Sequence, residues 1–451
     1  MTDEPGATIS TPAADGRPVG RLPNRELVRI SLYWLGLSSI FAGLSYIMAS
    51  RLEFTGLVDK AGAGRALFLV SISGAVIAVI VQPTIGSISD YTITRWGRRK
   101  PYIFIGSLLD LVFLVGIAYS NTLIAIAAFI ALLQFSSNFA QGPFQGYVPD
   151  LVPAAQVGTA SALVGMMQVL GVVSGYVIGA LAAAYHSYEI GLIALGLLEV
   201  ATMLSVVIRV REGPSPKSRQ GRPWRSIAAE AWGTDILRER SFMWLVASRL
   251  AILMGGSVLT SLAVFYLART MALNEHDSGI VFIPLVSLVA IGTVAAVVPA
   301  ARISDRVGRK RVIWASCGVS AIGLGICAAA PSLPFAFLGA LLYGISAGMF
   351  LAVDWALMTD IIPKASSGRY MGLSNVATAS AGVLAIAVGG TLMDIVGGPG
   401  LDPAGPRAAL WLAVVLMGIG ALLLWPVDER RRDDFPPAID ADAIPAAPAL
   451  A

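Results

Sequence analysis

Four ionisable side chains stand inside long apolar runs of this sequence: Asp110, Glu199, Arg249 and Asp354. Such groups are costly in hydrocarbon unless paired or hydrated, so each marks a candidate functional position. Arg249 lies about seven residues into its run and Asp354 about six into its own, which at ~1.5 Å per residue puts both ~10 Å from the same end of the bundle. Equal depth suggests an ion pair acting as a gate or proton-coupled switch; a static pair or a snorkelling arginine is the other reading. Asp110 and Glu199 also share a depth, about ten residues from that side. Two facing carboxylates in low dielectric would hold at least one proton, which makes them a candidate proton site, or else carboxyls bonded to backbone.

A second constellation is neutral. Gln134, Asn138, Gln141 and Gln145 are spaced 4, 3 and 4 apart, so on a helix they form one polar stripe. Amides offer donors and acceptors together, which suits hydroxyl-rich neutral solutes. The same stripe could instead hold neighbouring helices together, at about 0.6 kcal/mol per contact. Tyr33, Trp34, Trp244 and Trp355 could stack on a sugar ring, with interfacial anchoring as the alternative for the two tryptophans Trp34 and Trp244.

The elements that position these residues follow from composition. Of 451 residues, 56% are hydrophobic and 13% charged, against roughly 25% charged in a soluble domain. Apolar runs near the ~20 residues needed to cross a bilayer recur along the chain, and twelve are predicted. The net charge of +4 has a sidedness that argues against nucleic-acid binding. Of 32 Lys and Arg, 26 fall in the termini and alternate loops on one side and 5 in the loops of the other, with Arg249 inside a span. The positive-inside rule then places both termini in the cytoplasm. An Arg count of 27 against 5 Lys, with abundant Ala and Gly, hints at a GC-rich bacterial source and hence an inner membrane.

Two halves are legible. DLVPAAQVG at Asp150 to Gly158 matches DIIPKASSG at Asp360 to Gly368, an offset of 210 that also relates Trp34 to Trp244 and Ser31 to Ser241. The predicted organisation is a cytoplasmic tail (1–29), a six-helix half (30–208), a cytoplasmic linker (209–241), a second six-helix half (242–427) and a disordered tail (428–451). Parallel repeats of this kind allow rocking about a midplane site. Within the linker, Trp224, Ile227, Ala228, Ala231 and Trp232 share one face, predicting a helix on the membrane surface or else a solvated connector. The first 29 residues lack the apolar core of a signal peptide. Cys317 and Cys327 lie in one span without a His or Cys partner, so no disulfide, metal or cofactor is expected. His186 and His276 fall in loops without a nucleophile, and no GxxxxGK[ST] loop occurs, so neither an enzyme nor an ATP-driven pump is expected.

The chain reads VQPTIGSISDYTITRWGRRKP from Val81 to Pro101 and ARISDRVGRKR from Ala301 to Arg311. These stretches resemble the signature loop of the major facilitator superfamily, which implies an all-α membrane fold of twelve helices in two pseudo-symmetric halves. The resemblance implies that the first, fourth, seventh and tenth helices line a central cavity. It also implies a cytoplasmic latch, for which Asp90, Arg95, Arg98, Asp305 and Arg309 are the candidates, with Asp150 and Asp360 as partners. Basic residues that only fix topology are the alternative.

The first half resembles the sugar-carrying branch more specifically. VQPxxGxxSD, GRRKP and NFAQGPFQGYVPDL (Asn138 to Leu151) are similar to plant-type sucrose:proton symporters, and TxTRWGR to glycoside, pentoside and hexuronide:cation symporters. Where sucrose carriers have Asp and Arg in the fourth helix this chain has Gln134 and Gln145. Where the glycoside group has DxxxDP it has Ala78 and Gln82-Pro83. The coupling sites of both groups are therefore absent, which argues against sodium coupling. The expected function is proton-coupled or facilitated transport of a sugar or glycoside by a monomer. A proton-antiporting exporter of drug-like metabolites is the alternative, and a non-transporting sensor a third reading.

Overall fold

The computed structural model describes residues 21–153, 156–210, 212, 239–361 and 367–428, with Ala75, Trp355, Thr359, Asp360 and residues 367–373, 375, 376 and 379 described in their backbone alone. The predicted surface helix of the linker, most of the N-terminal tail and the tail beyond Asp428 lie outside the described residues.

Among the described residues, twelve helices are long and apolar enough to cross a membrane. They are α1 Asn24–Phe54, α2 Ala63–Asp90, α3 Lys100–Tyr119, α4 Leu123–Gln145, α5 Val157–Ala184 and α6 Tyr188–Arg209 in the first half. The second half holds α7 Arg240–Ser261, α8 Glu275–Val307, α9 Arg309–Ala329, α10 Leu333–Ile361, α11 Ser367–Gly397 and α12 Ala404–Leu423. A chain inside a bilayer must satisfy its backbone internally, which is why helices carry the whole fold. Beyond Ser261, α7 continues through Ala263–Phe265 into a π-turn at Tyr266–Thr270.

Within the first half α1 packs on α5 and α6, α2 on α4, and α3 on α4 and α6; in the second, α8 and α9 pack on α10, and α7 on α11 and α12. Lipid supplies no hydrophobic drive between helices, so close approach depends on small residues. A Cβ on Gly142 of α4 would overlap the backbone carbonyl of Gln82 in α2, and one on Gly36 of α1 would overlap Thr202 of α6. The QGP segment thus has a packing role at its glycine.

The halves meet along α2 with α11 and α5 with α8. At the end opposite the basic loops the meeting is polar. Glu53 of α1 pairs with Arg269 of the π-turn, with Nη2 to Oε2 at 2.7 Å and Nε to Oε1 and Oε2 at 3.2 and 3.1 Å. Arg269 also donates to the Lys60 carbonyl at 2.8 Å. Asp394 of α11 accepts from the Gly64 and Arg65 backbone N–H groups at the first turn of α2, a favourable place for a carboxylate beside the helix dipole. Tyr188 donates to Glu275, which lies 3.0 Å from His186 Nδ1, and His276 Nδ1 is 3.0 Å from the Ala184 carbonyl. At the basic end the first half has an apolar core of its own, around Leu27, Ile103, Phe144, Met203 and Val206, separate from the larger core that joins both halves.

Candidate functional site

Arg249 of α7 and Asp354 of α10 meet at 2.6 Å, Nη1 to Oδ2, and are 5% and 2% exposed. At 1.5 Å per residue from Arg240 and Ile361, they lie roughly 10–14 Å from the basic end. A buried pair of this kind contributes little net stability, but loss of one partner strands a charge and costs about 3–5 kcal/mol.

The other two intramembrane carboxyls form a deeper cluster in the first half. Asp110 on α3 accepts from Ser136 and, at 2.7 Å, from Ser137, adjacent residues of α4. Glu199 on α6 accepts at Oε1 from the Tyr33 hydroxyl of α1 at 2.8 Å and from Ser107 of α3 at 3.1 Å. All six residues are wholly buried. The two carboxyls lie within hydrogen-bonding reach of each other, and Glu199 Oε2 has no hydrogen-bond partner among the described residues.

This placement corrects one expectation. Tyr33 offers no ring face to a solute: it is 0% exposed, its hydroxyl is committed to Glu199 and Ser107, and its ring meets Phe144 edge-on at 4.8 Å. Sequence reading missed the serines. Ser107 stands one turn before Asp110, on the same helical face, and Ser136-Ser137 interrupts an apolar run, so both carried a signal.

Along α4, burial falls toward the basic end. Asn138 is buried and its Nδ2 donates to the Gln134 carbonyl at 2.8 Å; Gln141 is half-buried and Gln145 exposed. Gln134 lays its aliphatic stem on Gly74 of α2, and its Oε1 is buried without a hydrogen-bond partner among the described residues. Trp34 is half-buried against Phe144, with centroids 5.6 Å apart, and Trp244 is 42% exposed. The Trp355 side chain lies outside the described residues.

At the basic end Arg98 pairs with Asp150, and Arg99 contacts both Asp90 and Asp150, at 2.7 and 2.6 Å. Arg99 also donates at 2.9 Å to the Pro143 carbonyl in the last turn of α4, where a cation complements the helix dipole. Glu212 joins by accepting from the Arg99 backbone and from Tyr147. Arg95, a sequence candidate, is instead exposed and makes no ion pair among the described residues. Its neighbour Arg99 is 6% exposed and occupies the centre, because the turn at Gly97 directs Arg98 and Arg99 inward. In the second half Arg309 at the start of α9 is 3.3 Å from Asp305 in the last turn of α8, while Asp360's side chain lies outside the described residues.

Comparison with known proteins agrees with this architecture. The sequence model of the Major Facilitator Superfamily matches residues 28–285 and 249–450. Sucrose transport protein SUT1 of Oryza sativa subsp. japonica is 30% identical over 172 residues, 33% of this chain and 32% of that protein. The membrane-associated transporter protein of Homo sapiens is 34% identical over 95 residues, 17% of each chain. The chain thus spans about a third or less of the length of these curated relatives. A bacterial homologue of the human lysosomal transporter Spinster shares the fold with a TM-score of 0.70 at 16% identity, covering 93% of this chain and 100% of that one. The D-xylose-proton symporter does so with 0.65 at 17% identity, covering 88% and 97%. Twelve apolar helices in two packed halves, with the family's sequence model matched across both, make this chain a multi-pass membrane protein of the Major Facilitator Superfamily.

Proposed function

We propose that the chain is a secondary transporter that moves a sugar or glycoside by alternating access, in a proton-coupled or facilitative manner. It lies in a bacterial inner membrane with its basic end in the cytoplasm and works as a monomer. The observation that carries this reading is the polar face of α4, where the buried Gln134 Oε1 has among the described residues no donor, which a solute hydroxyl would supply. The stretch Asn138–Leu151 resembles sucrose carriers, and sucrose transport proteins are among the relatives found by sequence. Gln134, Asn138, Gln141 and Gln145 would bind the solute, with Trp34, Trp244 and Trp355 stacking on it.

Arg249 and Asp354 would act as the gate between α7 and α10. The Arg98, Arg99, Asp90 and Asp150 contacts would keep the first half rigid while it rocks. With the Glu53–Arg269 and Asp394 contacts closing the far end, the solute path would open to the cytoplasm. The test is uptake of radiolabelled sucrose, maltose and glucose in proteoliposomes, with and without an inward proton gradient. Uptake abolished by Gln134→Ala and Gln141→Ala supports the reading; absence of uptake of every sugar favours the exporter.

A further inference from the structure

The Asp110–Glu199 cluster has a chemical peculiarity that the gate pair lacks. Arg249 and Asp354 neutralise each other, whereas the two carboxyls on α3 and α6 have no counter-ion among the described residues. α1 presents the Tyr33 hydroxyl, α3 presents Ser107, and α4 presents Ser136 and Ser137. α4 and α5 carry no charged residue along their lengths; α3 carries only Lys100 besides Asp110. On α6 the other charges, Glu189 and Arg209, stand at the ends, as do Arg25, Glu26, Arg29, Arg51 and Glu53 on α1.

The hydrogen bonds specify what is missing. Four hydroxyl donors serve three of the four carboxyl oxygens: both oxygens of Asp110 and Oε1 of Glu199. The fourth, Glu199 Oε2, is buried without a donor among the described residues although Asp110 is within hydrogen-bonding reach. Neither carboxylate can donate to the other. One proton resolves this, since an O–H on either carboxyl donates to its neighbour and removes one of two facing negative charges.

We propose that the Asp110–Glu199 pair is the site that binds the transported proton, a shared carboxyl proton held by the hydroxyls of Tyr33, Ser107, Ser136 and Ser137. This rests on the reading that the chain couples solute to protons, and it places the coupling outside the solute path. Binding forms one O–H bond on a carboxylate, and release breaks it. The pair can sense the solute because three of its four hydroxyl supports stand on the candidate cavity helices α1 and α4. Tyr33 precedes Trp34 on α1, and Ser137 precedes Asn138 on α4. At about 100° per residue, Ser136 projects from the side of α4 roughly opposite the amide stripe. A solute that shifts α1 or α4 therefore alters the hydroxyls that hold the proton, and the proton biases where those helices rest.

The experiment is infrared difference spectroscopy on the full-length protein in lipid vesicles, titrated between pH 5 and 9 without solute. The expected result is a carboxylic-acid C=O band, shifted in deuterium oxide, that is lost in Asp110→Asn and Glu199→Gln and kept in Glu275→Gln at the outer seam. Tyr33→Phe, which removes one hydroxyl and no charge, should move the band frequency and its titration midpoint. With one proton carried per solute, a gradient of one pH unit supports about tenfold accumulation, and this should fall toward one in Glu199→Gln. No such band in wild type overturns the proposal, as does a band that survives both carboxyl substitutions. Sodium, not protons, saturating the site would also overturn it. A band that behaves as expected in a protein transporting no sugar would separate failure of the sugar reading from failure of this one.

Discussion

Glu53→Gln is the most direct perturbation of the seam between the halves. It keeps the shape of the side chain while removing the charge that Arg269 grips through three contacts of 2.7–3.2 Å. Both side chains are nearly buried, 4% and 3% exposed, so the pair is little screened by water. A hydrogen bond to a charged group contributes about 1.5–3 kcal/mol, and both groups can rehydrate when this seam opens. The closed seam should therefore weaken by about 2 kcal/mol, a shift of roughly 30-fold in the ratio of seam-closed to seam-open molecules. Spin labels on cysteines introduced at the exposed Asp59 and Asp402, one on each half, would report the distance distribution, with the buried Cys317 and Cys327 replaced by alanine. Arg269→Gln should give a similar shift, and the double variant less than the sum, because each single change already removes the pair. Unchanged distributions in both single variants, or strictly additive shifts, would refute the claim that this pair holds the halves together at the end opposite the basic loops.

Other consequences can be measured on purified protein. Arg249→Ala strands the buried Asp354 and should lower unfolding stability by about 3–5 kcal/mol, whereas Arg249→Met with Asp354→Leu should recover most of that loss in a melting assay yet leave transport impaired. Arg99→Ala should cost at least ~2 kcal/mol by unpairing Asp90 and Asp150, while Arg95→Ala should stay within about 0.5 kcal/mol; equal effects would contradict the placement of Arg99 at the centre of this ion-pair cluster. Gly142→Ala should destabilise by about 1–3 kcal/mol through its overlap with Gln82, and a neutral result would mean α2 and α4 can separate freely.

The fold class was legible in the sequence because a membrane imposes it: length and apolarity fix the spans, and basic loops give a sidedness that needs no knowledge of packing. The same signals picked out Asp110, Glu199, Arg249 and Asp354, since an ionisable residue in an apolar run is conspicuous whatever surrounds it. Partners at a distance were harder. Glu53 and Arg269 look like ordinary loop-edge charges, 216 residues apart, and only the approach of the two halves makes them a pair. Arg95 and Arg99 are equivalent in composition; the backbone turn at Gly97 decides which one is buried. Tyr33 shows the limit most clearly. Its type and helix suit stacking on a solute, yet the rotation of α1 against α3 and α6 turns the hydroxyl onto Glu199. Residue type and spacing determine which groups must be satisfied inside a bilayer, and tertiary packing alone decides which neighbour satisfies each of them.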